Sequence, residues 1–213
     1  YRCGIARHQA GQSDAARKDL DKAIELDPDL ADAWYVIGNL EAGRGQIEAA
    51  MSAYVKTVEI QPEHAAAWYN RGNLLFNQSK LQQAIDCWTI AITIQPDLFR
   101  AYNNRAAAYD RMNRDSEALA DYEKTLVLNP GFVRAWDNLA WLLATSDHKQ
   151  VRDPARAIQL ATKACELSDF KDWTCLNTLA TCCAENHDFK AAVSWAKQAR
   201  EMAPASDRTE LDA

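Results

Sequence analysis

Asparagine recurs at one position of a regular spacing in this chain. Asn70, Asn104 and Asn138 are 34 residues apart, and each follows an aromatic residue by two positions. Asparagine is a poor helix former, so its repetition at one helical position indicates a use. A primary amide donates to a C=O and accepts from an N–H, the two groups that an extended peptide offers. The pattern therefore predicts side chains that hold a peptide backbone without reading its sequence.

The helical spacing fits such a ladder, but a second interpretation stays open. Neighbouring helices pack about 8–10 Å apart and an extended peptide rises about 3.3 Å per residue, so successive amides would meet roughly every third residue. Two more asparagines, Asn39 and Asn73, lie one helical turn further on. Alternatively, these amides hydrogen-bond between neighbouring helices and contribute to stability alone.

Arginines lie near these asparagines and predict the charge of a ligand. Arg100 and Arg134 each precede an asparagine of the ladder by one helical turn, and Arg111 lies two turns beyond another. The guanidinium fork binds carboxylates in a bidentate manner, so a segment that bears Asp, Glu or a free C-terminus is expected. Asp110 and Asp137 could instead neutralise the arginines internally.

Aromatic residues complete the predicted site. Tyr35, Tyr69, Phe76 and Trp141 would give apolar surfaces with polar rims, the usual composition of an interface. For Tyr35 and Tyr69, packing between neighbouring repeats is the alternative. The predicted peptide-binding groove comprises Tyr35, Asn39, Tyr69, Asn70, Asn73, Phe76, Arg100, Asn104, Arg111, Arg134, Asn138 and Trp141.

A 34-residue repeat positions these side chains. Four prolines keep that spacing: Pro28, Pro62, Pro96 and Pro130. Within the unit 65–98, apolar residues recur at helical intervals over 67–78 and again over 81–94. The small residues Gly72 and Ala84 let two helices approach closely, while Trp68 and Trp88 supply bulk. One such helix pair cannot bury both of its faces, so the period predicts stacked helix pairs.

The pattern of aromatic, glycine, alanine and proline positions resembles that of the tetratricopeptide repeat proteins, over nearly the whole chain. The resemblance implies an all-α fold: a right-handed superhelical solenoid of antiparallel helix pairs whose first helices line a concave groove. We expect one solenoid over 1–204, followed by a polar tail over 205–213 with Leu211 as an apolar anchor. The repeats are expected at about 1–30, 31–64, 65–98, 99–132, 133–172 and 173–204, and the last ones resemble the terminal modules of long bacterial members.

Two relatives within that family sharpen the expected function. The asparagines are similar to the ladder of the O-linked N-acetylglucosamine transferases, which grips an extended substrate backbone. The trio Asn39, Asn70 and Arg100, repeated as Asn73, Asn104 and Arg134, is similar to part of the carboxylate clamp of chaperone cofactors. The clamp is incomplete, because Tyr35 and Tyr69 stand where a lysine is expected, and Asn104 and Asn138 where a second basic residue is expected.

The fifth repeat departs from the period. The stretch 145–153 makes the turn between its helices about five residues longer than in the earlier repeats. Asp153 and Pro154 then predict a new helix start, as cap and first-turn residue. We interpret the long turn as surface architecture rather than a lid.

Composition and motifs argue against other classes of function. A net charge of −6 gives no broad basic surface for nucleic acid, and no phosphate loop, nucleophile elbow or paired carboxylates indicate an enzyme or a cofactor. Cys182, Cys183 and His187 do not make a closed metal site. The six cysteines favour a reducing, cytoplasmic location, and no apolar run is long enough to span a bilayer.

The sequence therefore predicts a non-catalytic scaffold that binds proteins or extended peptides. The alternative is a structural spacer, or an array that oligomerises through its exposed end repeats. Because the chain opens inside a first helix, we expect it to be a piece of a longer protein or a mature chain that lacks its leader.

Overall fold

The structure is a computed structural model that describes residues 1–207, apart from the side chains of His8 and Gln9. Leu211, the predicted anchor of the tail, lies outside the described residues. Over residues 1–207 the chain folds into twelve α-helices and no strand. The predicted all-α architecture of antiparallel helix pairs is confirmed.

The helices fall into two compact units, 1–101 and 102–213, and the division lies within α7. Their bounds are α1 Arg2–Gln9, α2 Ser13–Leu26, α3 Ala31–Gly43, α4 Ile47–Ile60, α5 Ala65–Asn77, α6 Leu81–Ile94, α7 Phe99–Arg111, α8 Asp115–Leu128, α9 Val133–Thr145, α10 Pro154–Leu167, α11 Trp173–Glu185 and α12 Phe189–Met202. From α3 onward, the first helix of each pair begins at the first residue of a predicted repeat. The single solenoid over 1–204 stays a prediction.

Hydrogen bonds between tryptophan and the preceding proline explain why these two residue types recur together. The indole Nε1 of Trp68 donates to the carbonyl oxygen of Pro62 at 2.9 Å. Trp34 and Pro28 are joined in the same way at 2.9 Å, and Trp136 and Pro130 at 2.8 Å. Each bond ties the turn that ends one repeat to the first helix of the next.

Glycine and a large aromatic residue face each other within the helix pairs of the first unit. A Cβ atom at Gly72 of α5 would lie 2.6 Å from Nε1 of Trp88 in α6, and one at Gly38 of α3 would lie 2.5 Å from Cε1 of Tyr54 in α4. Trp88 is fully buried. The expected role of Gly72 in the close approach of two helices is thereby explained.

Each unit has its own apolar core. In the first unit, Leu20 and Ile37 belong to one cluster and Tyr54 to another. In the second unit, a single larger cluster runs from α7 to α12 and includes Leu139 and Leu176. Ala196, expected to tighten the packing of the last repeat, is exposed instead.

The long turn of the fifth repeat is anchored to the preceding repeat. Asp115, at the start of α8, accepts hydrogen bonds from the hydroxyl of Ser146 and, at 2.9 Å, from Nδ1 of His148. Val151 is buried in the core cluster of the second unit. As predicted, Asp153 caps α10 by accepting from the backbone N–H of Arg156 at 3.0 Å.

Candidate functional site

In the first unit, the ladder asparagines form a network between α3, α4 and α5. Asn39 Oδ1 accepts from the hydroxyl of Tyr54 at 2.8 Å and from Nδ2 of Asn70 at 2.8 Å. Asn70 Nδ2 also donates to the hydroxyl of Tyr35 at 3.4 Å. Burial raises the pKa of Tyr54 to about 12, so its hydroxyl is a donor at neutral pH. Three predicted site residues are therefore brought together.

This network realises the alternative of bonding between helices, but it uses only part of each amide. Both protons of Asn70 Nδ2 are engaged, so Asn70 can meet a peptide only through its acceptor Oδ1. Asn39 is used as an acceptor, so its Nδ2 is the group that can donate to a peptide. Side by side, the two amides can offer one donor and one acceptor.

Tyr35 packs between repeats while it stays partly exposed. Its ring centroid lies 4.5 Å from that of His64, the residue that precedes α5. His64 Nδ1 accepts from the backbone N–H of Ala67 at 3.1 Å and so caps α5. The tyrosine therefore helps to hold the start of α5, in agreement with the packing alternative.

Three further predicted residues surround Trp88. Its indole Nε1 lies 3.2 Å both from the backbone oxygen of Tyr69 and from Oδ1 of Asn73. The ring of Phe76 lies 5.7 Å from that of Trp88. All three side chains are only partly buried. Arg100 is exposed and lies over the ring of Phe99 at 5.0 Å.

In the second unit, the ladder asparagines are joined through a residue that the sequence reasoning missed. Asn103 is buried; its Oδ1 accepts from Nδ2 of Asn138 at 3.5 Å, and its Nδ2 donates to Oδ1 of Asn104 at 3.2 Å. Asn103 and Tyr35 lie at the same position of their repeats, one residue after the aromatic. In both units, therefore, a ladder asparagine donates to the side chain at that position of the preceding repeat.

Arg134 lies beside Asp137 and Asn138 in a cavity of about 670 Å³. Arg134 is exposed and pairs with no carboxylate of the part of the chain that the structure describes. The expected alternative, in which Asp137 neutralises Arg134, is therefore absent from residues 1–207. Burial raises the pKa of Asp137 to about 6, and the charge of Asp172 adds to this shift.

The two remaining predicted residues, Arg111 and Trp141, line no surface with these groups. Arg111 is exposed and close enough to Asp110 to lower the pKa of that carboxyl, although burial and Asp115 together raise it. Trp141 is 42% exposed. Val36, expected to face the ligand like the asparagines, is instead buried in the core of the first unit, because a valine gains more from apolar contact there.

Family models match the repeats described above. The model for the tetratricopeptide repeat matches residues 65–98 and 99–132, and a second model, TPR repeat, matches residues 4–43 and 38–79. Together they span more than half of the 213 residues. The fold and these matches define a protein-interaction scaffold, and the chain belongs to the tetratricopeptide repeat family.

Solved structures share this fold. MamA protein is 27% identical, with a TM-score of 0.67 over 79% of this chain and 89% of its own. PilF from Pseudomonas aeruginosa is 22% identical, with a TM-score of 0.80 over 99% and 94%. YrrB, described as a TPR protein with an unusual peptide-binding site, is 18% identical, with a TM-score of 0.72 over 87% and 93%. Among curated proteins, none matches the chain.

Other features of the described residues bear on the remaining predictions. No helix within residues 1–207 is long and apolar enough to cross a membrane. All six cysteines are free thiols. Cys165 and Cys183 are buried, as expected, whereas Cys3 is exposed.

Proposed function

We propose that the chain holds an extended peptide segment on its first helices through the asparagine ladder, with Asn39 and Asn70 as the central pair. The observation that carries this proposal is the shared use of the two amides. Their mutual hydrogen bond fixes both side chains and orients one remaining donor and one remaining acceptor. An extended backbone presents the matching C=O and N–H.

Fixing the side chains in advance favours binding. A free asparagine side chain loses rotamer freedom when it contacts a ligand, whereas these amides have already lost it on folding. Tyr35 and Tyr69 add partly exposed aromatic surface on the same two first helices. The binding of proteins or peptides by this family, and the peptide-binding site in the description of YrrB, support the same conclusion.

Two exposed arginines support an acidic segment or a free C-terminus as the ligand. Arg100 and Arg134 form no ion pair with the described residues, so their charges are not neutralised within the chain. A guanidinium group in this state can bind a carboxylate in a bidentate manner. Binding of this kind should weaken as ionic strength rises.

Selection from a random peptide library displayed on phage would test the ladder. For the selected peptides, Asn39→Ala and Asn70→Ala should each weaken binding about threefold to tenfold, the net effect of one hydrogen bond. Asn77→Ala, at the exposed end of α5, is the matched control. Thermal unfolding of each variant must be followed in parallel, since both asparagines also join α3 to α5.

The arginines call for a separate measurement. Arg100→Ala and Arg134→Ala should reduce both the affinity for acidic peptides and its dependence on salt, while Lys124→Ala, an exposed control, should change neither. Equal binding of acidic and basic peptides, unaffected by both arginine substitutions, would refute the charge preference and leave the ladder intact.

A second candidate function is self-association through the end repeat. Phe189 and Val193 of α12 are 64% and 54% exposed, and an apolar surface of this kind favours association. Sedimentation equilibrium of the chain and of Phe189→Asp tests this: a monomer at all concentrations would remove the candidate. We also propose a cytoplasmic location, which the six free thiols support.

A further inference from the structure

The cavity beside Arg134 has walls and a charge that suit a particular kind of side chain. It lies between the N-terminal ends of α9 and α11 and measures about 670 Å³. Phe132, Val133 and Cys175 give it apolar walls, and Arg134, Asp137 and Asp172 give it charge. Two carboxylates against one guanidinium make it net acidic, although Arg134 alone had predicted an acidic ligand.

The hydrogen bonds of Asp137 are incomplete. Its Oδ1 is buried and has no hydrogen-bond partner among the described residues. A buried carboxylate oxygen without a partner is costly, and buried charges are normally paired. Asp172 differs, because its Oδ1 accepts from the backbone N–H of Thr174 at 2.9 Å and from the Thr174 hydroxyl at 2.6 Å while it caps α11.

Arg134 does not fill this role. It forms no ion pair with a described residue although it lines the same cavity as Asp137. An arginine that is exposed at the rim can serve a ligand carboxylate, while the carboxylate deeper in the cavity still needs a cation.

We propose that this cavity takes a lysine or arginine side chain of the bound segment, with the cation against Asp137 and the aliphatic stem against Val133 and Cys175. Long basic side chains bury their stems on apolar surface and keep the charged group at a polar partner, which is the arrangement of this cavity. The inference rests on the proposed peptide-binding function and names a side chain that the second unit would select.

The groups around Asp137 make its titration readable. They are Arg134 on its own helix, Tyr122 on α8, Cys165 on α10, and Asp172, Cys175 and Cys182 on or before α11. Burial raises the pKa of Cys165, Cys175 and Cys182 to about 12 and that of Tyr122 further, so these groups stay neutral near pH 6. A bound cation should lower the pKa of Asp137 from about 6 and should bind more weakly at lower pH.

A titration of the chain with n-butylguanidinium, an arginine side chain without its backbone, tests the cavity directly. We expect NMR shifts at Asp137 and Cys175 and a lower pKa of the Asp137 carboxyl, measured from its carbon chemical shift. Asp137→Asn should abolish both effects. Asp169→Asn, which makes the same change in charge on the exposed turn before α11, should preserve them.

The peptide library then distinguishes this inference from the function on which it rests. We expect selected peptides to carry Lys or Arg at one position, and Asp137→Asn to weaken their binding about tenfold to a hundredfold, the range of one charge-assisted hydrogen bond. Peptides that bind without such a preference, together with no response to butylguanidinium, would overturn the inference and leave the proposed function standing. A response to butylguanidinium without any selected peptide would sink the proposed function instead.

Discussion

Replacing Cys87 by aspartate should stabilise the first unit, because the same position of the next repeat carries an acid. Cys87 and Asp121 are 34 residues apart, as are Arg71 and Arg105. Arg105 binds Asp121 in a bidentate manner, with Nε to Oδ2 at 2.7 Å and Nη2 to Oδ1 at 2.8 Å. In the first unit the acid is missing, and Arg71 Nε is buried without a hydrogen-bond partner.

The thiol cannot replace the carboxylate. Cys87 is buried, and this burial raises its pKa, although the nearby charge of Arg71 opposes the shift. The thiol is therefore neutral at physiological pH. Arg71 is left with contacts such as the face of Trp68, whose ring centroid lies 5.2 Å from the guanidinium carbon. A cation over an aromatic ring leaves the N–H groups in the plane of the guanidinium without an acceptor.

The expected gain follows from two opposing effects. Satisfying a buried donor recovers about 1–3 kcal/mol, and a hydrogen bond to a charged group contributes about 1.5–3 kcal/mol. Desolvation of the new carboxylate opposes this by several kcal/mol, but a charge is already present in Arg71. We expect a net stabilisation of about 1–2 kcal/mol, or roughly 2–8 °C in Tm for a chain of this size.

A double-mutant cycle in urea unfolding checks this reasoning. Cys87→Asp should stabilise the chain only when Arg71 is present, so in an Arg71→Met background the same change should destabilise it. The reverse substitution, Asp121→Cys, should cost about 3–5 kcal/mol, because it leaves Arg105 buried without its partner. If Cys87→Asp destabilises the chain and shows no coupling to Arg71, the equivalence of the two repeats is wrong at these positions.

Other substitutions test packing and pH dependence. Trp88→Ala should cost about 3–5 kcal/mol in thermal or urea unfolding, whereas Trp68→Ala should cost less because Trp68 is only partly buried; equal losses would contradict this. Gly72→Ala should destabilise by about 1–3 kcal/mol despite the better helix propensity of alanine, since its Cβ would meet Trp88 at 2.6 Å. The raised pKa of Asp137 means that the folded chain holds this proton more tightly than the unfolded chain, so its stabilising contribution is complete below about pH 4 and is lost as pH rises through about 6. Asp137→Asn should therefore be more stable than the parent near pH 8, on the order of 1–3 kcal/mol, and the difference should vanish near pH 4.

The sequence period predicts the helices well because each repeat makes the same local contacts. The tryptophan of a first helix bonds to the proline six residues earlier, and the glycine faces an aromatic residue of the second helix. Such contacts lie within one 34-residue unit, so they recur wherever the residue types recur. This is why the first helices begin where the repeats were expected to begin.

The partners of the site residues could not be predicted in the same way. Asn70 donates to Tyr35, while Asn138 donates to Asn103, because the residue at that position of the preceding repeat differs. A period identifies equivalent positions, but it does not say which donor of an amide is used or whether a residue such as Val36 turns into the core. Those outcomes depend on side-chain packing between repeats, which one repeat alone does not determine.

The two units consequently differ in the kind of recognition that they can provide. In the first unit, Asn39 and Asn70 can offer a donor and an acceptor that match any peptide backbone, so selection by sequence there is weak. In the second unit, Asp137 and Arg134 carry opposite charges that are not paired with each other, so they can discriminate between side chains. Backbone contacts supply affinity for many segments, and a buried carboxylate penalises every segment that leaves it without a cation. Specificity in this scaffold should therefore depend on the second unit, while the first unit should determine how tightly extended segments in general are held.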